Sequence, residues 1–234
     1  GHRIRTKIGL VYVGLHKDDQ DKIFSTKLEE TSVQFREFIV GLGYPIDLST
    51  HSLYNGGLDL KGERSGKTSI YYADFNNEIM FHVGPLLPTS TSDTQQVLKK
   101  RHIGNDHVYI IYVDNDHDYN PSTISSQFGM MQIIVYPIRN SGLYRVEIYS
   151  RENEVPYFGP LRNGTVVQKR ALPSLVRSTA IVAMMNLWCQ QKEFFHPTIE
   201  LALMIDELSK KHSVNDDDNS YKAIEELLAI RPDC

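Results

Sequence analysis

The feature that most constrains the fold is Val108–Val113, a run of six residues that are all β-branched or aromatic. Successive side chains of a strand point to opposite faces of its sheet, so this run is apolar on both faces. Such strands lie in the middle of a sheet, where other layers cover them on both sides. The run therefore predicts a buried central strand.

Further strands alternate with helical segments along the chain, which predicts an α/β fold with a central mixed β-sheet flanked by helices. The predicted strands are Ile8–Val13, Ser69–Phe75, Glu78–Val83, Met130–Tyr136 and Leu143–Tyr149. Asn76-Asn77 tolerates positive φ and predicts a two-residue hairpin turn, while Pro137 is expected to end its strand. The polar segments His16–Lys27 and His51–Gly66 predict exposed loops.

One helix has both a start signal and a buried face. Thr31-Ser32-Val33-Gln34 fits a capping box, which marks a helix N-terminus. Apolar residues then recur at helical spacing, at Phe35, Phe38, Ile39 and Leu42. Gly43 is expected to end this helix in the left-handed conformation, and Pro45 forbids its continuation.

The C-terminal third of the sequence predicts three more helices. Pro173 suits the first position of a long helix that continues to about Phe194. A second helix follows Pro197 and a last one spans Tyr221–Ile230. The second helix carries an apolar stripe that is expected to be buried, at Leu201, Met204, Ile205 and Leu208. We predict one domain over residues 1–195 and a C-terminal helical extension, residues 196–234, packed on that domain.

Charge and composition exclude several classes of function. The 234 residues carry a net charge of −4, which argues against a nucleic-acid partner. No segment approaches the roughly 18 apolar residues of a membrane span, and no apolar leader opens the chain, so membrane insertion and secretion are not expected. The two cysteines, Cys189 and Cys234, cannot build a disulfide framework, which predicts a cytoplasmic location.

The segment Lys99–Asp106, called the signature segment below, lies just before the central strand and reads Lys-Lys-Arg-His-Ile-Gly-Asn-Asp. A capping box at Ser92-Asp93-Thr94-Gln95 predicts that a helix begins near Ser92 and carries the three cations in its last turn. Gly104 suits a left-handed position after that helix. From these patterns alone, the segment is an ordinary helix end with an exposed cationic patch.

The signature segment also resembles the signature of the Rap-, Ral- and tuberin-type GTPase-activating domains. The resemblance extends from about Lys7 to about Met185, and Leu172–Ile181 is most similar to the Ral branch. Five flanking blocks share it, namely Gly9–Val13, Phe38–Gly43, Gly56–Leu58, Phe81–Val83 and Val155–Leu161.

In that family the asparagine of the signature enters the nucleotide site of a small GTPase, where it orients the attacking water. The resemblance therefore implies a GTPase activator that supplies Asn105 in trans and hydrolyses nothing by itself. It gives four candidate GTPase-binding residues: Lys100, Arg101, His102 and Asp106. The cations would dock acidic switch residues, and Asp106 would fix the turn. A solvated cationic face fits Lys100 and Arg101 nearly as well. For His102, which would support Asn105 or touch the GTPase, a capped helix end fits about equally well.

The resemblance also indicates the partners. A Ras-family GTPase is expected, with Ral ahead of Rheb and Rap, and an accessory subunit of a GAP complex is a further candidate. No cofactor and no metal site are expected, because GTP and Mg²⁺ belong to the partner GTPase. The alternative is a catalytically silent, GAP-like interaction domain, and the intact Asn105 favours the catalytic one.

Other motifs are weaker. Gly62–Thr68 imitates a phosphate-binding P-loop, but it has three residues between its glycines where the P-loop needs four, and a strand follows. Asp114–Asp118 begins like a calcium loop and lacks its glycine and its final glutamate. The nine histidines show no zinc-ligand spacing, and His82 in its apolar strand is expected to be a core residue.

Overall fold

An eight-stranded mixed sheet forms the centre of the computed structural model, which describes residues 3–61, 64–90, 95–151, 159–190 and 197–211. Its strands are β1 Ile4–Val13, β2 Tyr44–Asp47, β3 Thr68–Ala73, β4 Asn77–Val83, β5 Val108–Val113, β6 Met131–Ile138, β7 Leu143–Ser150 and β8 Thr165–Gln168. The described helices are α1 Gln20–Phe24, α2 Val33–Leu42, α3 Val97–Ile103, α4 Leu172–Gln190 and α5 Pro197–Lys211. The predicted α/β fold with a central mixed sheet and flanking helices is confirmed.

The strand order is β2-β3-β4-β1-β5-β6-β7-β8. The four middle strands, β4, β1, β5 and β6, are parallel to one another, and the outer pairs are antiparallel. All six residues of β5 are buried, as its sequence predicts. Tyr112 meets the rings of Phe35 and Phe38 on α2, each at 5.4 Å. Tyr109 and Ile111 belong to the core cluster that includes α1 and α3.

A helix that the sequence did not predict lies inside the supposed loop His16–Lys27. Asp19 caps α1 by accepting a hydrogen bond from the Lys22 backbone N–H at 2.9 Å. Ile23 and Phe24 are both 3% exposed and join the core. A helix of five residues is too short to show a periodic pattern, so the sequence did not predict it.

The predicted backbone conformations of Gly43 and of the Asn76-Asn77 turn are wrong. Gly43 ends α2 in extended backbone, with φ −176°, and it is needed because a Cβ would lie 2.5 Å from the Tyr71 carbonyl oxygen. Ser32, one residue later than predicted, caps this helix by accepting from the Phe35 N–H. The β3–β4 hairpin is confirmed, but Asp74 closes its turn by accepting from the Asn76 and Asn77 backbone N–H groups. Neither asparagine has a positive φ.

The edges of the sheet depart from the sequence in smaller ways. The short outer strands β2 and β8 were not predicted, since four residues carry little pattern. Strand β6 continues one residue past Pro137, which is tolerated because β6 pairs with β5 only as far as Val135.

The chain divides into two compact units, residues 1–187 and residues 188–234. All eight described strands belong to the first unit. Helix α5 in the second unit exposes Met204 and Ile205, at 63% and 55%, so the predicted burial of its apolar stripe is wrong at these positions. Periodic apolar residues make a helix amphipathic without supplying anything that covers them.

Several C-terminal predictions stay untested. The predicted helix Tyr221–Ile230 and the end of the long helix beyond Gln190 lie outside the described residues. The packing of the extension on the first unit stays a prediction. In the described part of the chain, no helix combines the length and the apolar composition needed to cross a membrane.

Candidate functional site

The signature segment forms helix α3 and the turn that leads into β5. Helix α3 begins at Val97, five residues after the predicted start near Ser92. The preceding Gln96 has φ 49° and ψ 46°, a left-handed conformation that an α-helix cannot contain. Residues 91–94 lie outside the described part of the chain. The helix is therefore seven residues long, and its register is set by packing rather than by a capping box.

Lys99 is buried, which overturns its predicted place in an exposed cationic patch. Its side chain is 1% exposed, and its Nζ donates to the Thr26 carbonyl at 3.1 Å, just after α1. Burial lowers the pKa of this ammonium from 10.5 to about 8. Lys99 thus fastens α3 to the α1 segment, and because α1 was not predicted, its partner was not either.

The other two cations of the signature differ from each other. Lys100 is half-buried, and its Nζ lies 2.6 Å from the Asp21 carboxylate on α1. Arg101 is exposed and lines a groove beside the turn. Of the predicted docking cations, Arg101 therefore presents its charge at this groove, while Lys100 is held by a carboxylate of its own chain.

His102 connects α3 to the loop before β3. Its Nε2 lies 3.2 Å from the Ser65 hydroxyl, which also accepts a hydrogen bond from the Asp59 N–H. Burial lowers the pKa of His102, with the nearby His82 ring as the next cause, so the ring is neutral at pH 7. A neutral Nε2 is able to accept the Ser65 O–H.

Asp106 lies in the interior, which corrects its prediction as a GTPase-contacting residue. It is 0% exposed, and its Oδ2 lies 2.9 Å from His82 Nδ1. The other ring nitrogen of His82 lies 3.1 Å from the Gly56 carbonyl oxygen. Both ring nitrogens therefore lie within hydrogen-bond distance of an oxygen atom. His82 is a core residue, as expected. It also connects the loop His51–Gly66, through Gly56, to the residue after Asn105.

The turn between α3 and β5 carries Asn105 at the surface. Gly104 has φ −62° rather than the predicted left-handed value, and it is needed because a Cβ would lie 2.5 Å from the Lys100 carbonyl oxygen. Asn105 is exposed, and its Nδ2 donates to the Arg101 carbonyl at 2.8 Å. Among the described residues, this carboxamide makes no other hydrogen bond. Its Oδ1 and second N–H are therefore available to a partner.

Asn105 and His102 line a groove of about 660 Å³. Four cationic side chains lie along it, at Lys7, Lys61, Arg64 and Arg101. The Lys7 ammonium lies 3.7 Å from the Asp106 carboxylate, which partly neutralises its charge. Asp59 is the one carboxylate on its described lining. The groove is therefore basic, although the whole chain is acidic, and its positive potential favours a phosphate or an acidic protein surface.

Sequence reasoning missed Lys7, Lys61 and Arg64. The segment Gly62–Thr68 drew attention only as an imperfect P-loop, and it leads into strand β3 rather than a helix. The segment His51–Gly66 was expected to be an exposed loop, but Leu58 and Ser65 are buried and the loop forms one wall of the groove. In the sequence, the adjacent glycines Gly56 and Gly57 were the available sign of a constrained loop. Both have positive φ in the structure. No group of three potential metal ligands occurs within the described ranges.

Comparison with known proteins identifies the family. The profile of the family described as Rap/ran-GAP matches residues 23–201, more than half of the chain. The chain belongs to the Rap/ran-GAP family. The signature segment, strands β2 to β8 and the groove lining other than Lys7 fall within the matched residues.

The relatives of this Rap/ran-GAP domain include much longer proteins. The chain is 35% identical to mouse "Ral GTPase-activating protein subunit alpha-2" over 206 residues, which is 88% of the chain and 11% of the relative. It is 36% identical to human "Ral GTPase-activating protein subunit alpha-1" over 177 residues, 76% of the chain and 8% of the relative. The chain thus spans about a tenth of the length of these relatives.

A solved structure shares the fold. The structure titled "Structure of the TSC2 GAP domain" superposes with a TM-score of 0.73 at 27% identity, covering 80% of this chain and all of the other. The Rap/ran-GAP domain described here therefore has the architecture of a known GAP domain.

We predict that Gly56→Ala destabilises the domain more than Gly57→Ala. Both glycines have positive φ, which costs any other residue about 1–2 kcal/mol. At Gly56 a Cβ would also lie 2.8 Å from the Met80 Cβ, whereas at Gly57 it meets nothing within 4 Å. The added overpacking costs about 1–3 kcal/mol more. Urea denaturation of the two variants measures the difference, and equal losses of stability would contradict this account of the Gly56 loop.

We predict that the stability difference between wild type and Lys99→Met depends on alkaline pH. Folding lowers the pKa of Lys99 to about 8, so between pH 8 and pH 10 the unfolded chain binds more protons than the folded one. The free energy of unfolding of the wild type therefore rises with pH relative to the variant, by at most about 1.4 kcal/mol per pH unit. Denaturant titrations at pH 8, 9 and 10 test this, and a difference independent of pH would mean that the ammonium is hydrated.

Proposed function

We propose that this Rap/ran-GAP domain stimulates GTP hydrolysis by a Ras-family small GTPase, with Asn105 entering the partner's nucleotide site. The observation that carries the proposal is the exposed carboxamide of Asn105 on a turn whose next residue, Asp106, is fixed in the interior. A short side chain on a rigid base is suited to placing two polar atoms accurately in another protein.

The chemistry needs little more than such placement. Phosphoryl transfer to water requires an in-line nucleophile and donors that face the developing charge. A carboxamide offers an oxygen that accepts from the attacking water and an N–H that donates to the γ-phosphate. With one N–H of Asn105 bonded to the Arg101 carbonyl, the oxygen and the second N–H are left for these two roles. GTP and Mg²⁺ come with the GTPase, and the domain supplies neither cofactor nor metal.

The charge of the groove supports a phosphate-bearing partner. Arg101, Lys61 and Arg64 lie on the same groove as Asn105. Cations in this arrangement attract the acidic switch surface of a GTPase and add to the positive potential near its nucleotide. The neutral His102 adds no charge, and its bond to Ser65 holds α3 against the loop that carries these residues.

Ral is the first candidate substrate, followed by Rheb and Rap. The support for Ral comes from the names of relatives that are 35–36% identical to this chain. Those relatives are called subunits, which also supports an accessory subunit as a second partner. The alternative function is a catalytically silent interaction domain. The word "subunit" in the same names is compatible with it, and the exposed Asn105 argues against it.

We predict that Asn105→Ala abolishes most of the stimulation while leaving the complex intact. Trans-acting groups on GTPases contribute about 10³–10⁵ in rate, and loss of the carboxamide is expected to lower the stimulated kcat by at least about 100-fold. The KM for the GTPase should change little, because the carboxamide is proposed to act in the transition state rather than in binding. Multiple-turnover assays with Ral, Rheb and Rap measure both quantities and rank the substrates.

Asn76→Ala is the matched control for this experiment. Asn76 is an exposed asparagine in the β3–β4 turn and does not line the groove. It should stimulate as the wild type does. Near wild-type stimulation by Asn105→Ala would refute the role of Asn105, and a wild type that binds GTPase without stimulation would establish the interaction domain.

We predict that Arg101→Ala raises the KM for the GTPase in a salt-dependent way. The substitution removes the exposed guanidinium but keeps the backbone carbonyl that holds Asn105. Screening weakens exposed charge contacts, so the difference from wild type should shrink between low salt and about 0.5 M salt. The kcat should stay within a few-fold of wild type. An unchanged KM at low salt would show that Arg101 does not dock the partner.

A further inference from the structure

The turn that carries Asn105 is held from a second direction by the loop between β5 and β6. The hydroxyl of Ser126 donates a hydrogen bond to the Gly104 carbonyl at 2.6 Å. The same oxygen accepts from the backbone N–H groups of Phe128, at 3.1 Å, and Gly129, at 3.0 Å. Its donor and both of its acceptor positions are therefore in use, which fixes the direction of the O–H.

The loop that carries Ser126 is itself anchored. The Arg151 guanidinium donates to the carbonyl groups of Gln127, at 3.1 Å, and Ser126. Gly129 lies against the buried Tyr109 ring, where a Cβ would come within 2.4 Å of the ring carbon Cε2. The Met130 backbone N–H then donates to the His107 carbonyl at 2.9 Å. Ser126 is thus held by contacts on both sides of it that do not depend on the turn between α3 and β5.

We propose that Ser126 is a positioning residue that sets the direction in which Asn105 leaves the turn. The Gly104 carbonyl and the Asn105 N–H belong to one planar peptide group. A hydrogen bond that fixes the carbonyl oxygen therefore fixes the orientation of the N–Cα bond from which the Asn105 side chain departs. Asp106 and His82 hold the turn from its C-terminal side, and Ser126 holds it from the side of Gly104.

The role rests on the proposed function of Asn105, and it concerns the rate rather than binding. Misplacement of a reacting group by about 1 Å costs on the order of 100-fold in rate. Loss of one of several restraints should cost less than this. Ser126 is half-buried and is separate from the described lining of the groove, so the contact with the GTPase should be kept.

The test compares Ser126→Ala with Ser126→Thr in the GTPase assay. Ser126→Ala should lower the stimulated kcat about tenfold with less than a twofold change in KM. Ser126→Thr keeps the hydroxyl and should remain within about threefold of wild type. Ser125→Ala is the matched control, because the Ser125 hydroxyl bonds to Gln20 and not to the turn, and it should behave as wild type.

A double substitution separates positioning from general destabilisation. In the Asn105→Ala background, Ser126→Ala should have no further effect on kcat, because the group that it positions is gone. Hydrogen exchange on the domain alone gives a readout that needs no GTPase. The backbone amide of Asp106, which donates to the Ile103 carbonyl across the turn at 2.9 Å, should exchange faster in Ser126→Ala than in wild type, and in Ser126→Thr it should exchange as in wild type.

The outcomes distinguish this inference from the proposed function. If the wild type stimulates and Ser126→Ala stimulates equally, the positioning role is wrong and the function of Asn105 stands. If Ser126→Ala lowers kcat further in the Asn105→Ala background, its effect is a general loss of structure and the inference is overturned. If the wild type stimulates none of the GTPases, the proposed function fails and the positioning role fails with it.

Discussion

The hydrogen bond between His82 and Asp106 is the interaction on which the rest of the site depends. Both groups are buried, at 1% and 0% exposure, and they join strand β4 to the residue that follows Asn105. The Gly56 carbonyl occupies the other nitrogen of the ring, so the same imidazole also holds the glycine loop. Removing one partner of a buried hydrogen bond leaves the other polar group unsatisfied, which typically costs about 1–3 kcal/mol. Displacing the turn that carries Asn105 therefore costs free energy.

This arrangement explains how an exposed side chain acquires a fixed position. Lys99 fastens α3 to the α1 segment, His102 fastens it to the loop before β3, and Asp106 fastens the turn to β4. The polar groups of the signature segment are largely used within the domain. Arg101 and Asn105 are left at the groove, one with its charge and the other with its carboxamide. Within α3 and the turn after it, some polar side chains therefore bind the rest of the domain and others remain exposed to a partner.

The sequence predicted the parts of the structure that depend on local pattern. The all-apolar run of β5 and the spacing of Phe35, Phe38, Ile39 and Leu42 on α2 required nothing from elsewhere in the chain. The family resemblance led to Asn105. The sequence pattern could not predict contacts between distant parts of the chain, such as the burial of Lys99 against the segment that carries a five-residue helix. Gly43 and Gly104 were expected to provide left-handed backbone, and both instead allow a close approach to a carbonyl oxygen that only the packed structure creates.

The central claim is that Asn105 acts in the transition state and not in binding. The most direct measurement is the affinity of the domain for GDP-bound Ral with and without aluminium fluoride, which completes a mimic of the transferred phosphoryl group. The mimic should tighten the complex strongly for the wild-type domain and not for Asn105→Ala. Equal tightening with both proteins would contradict it.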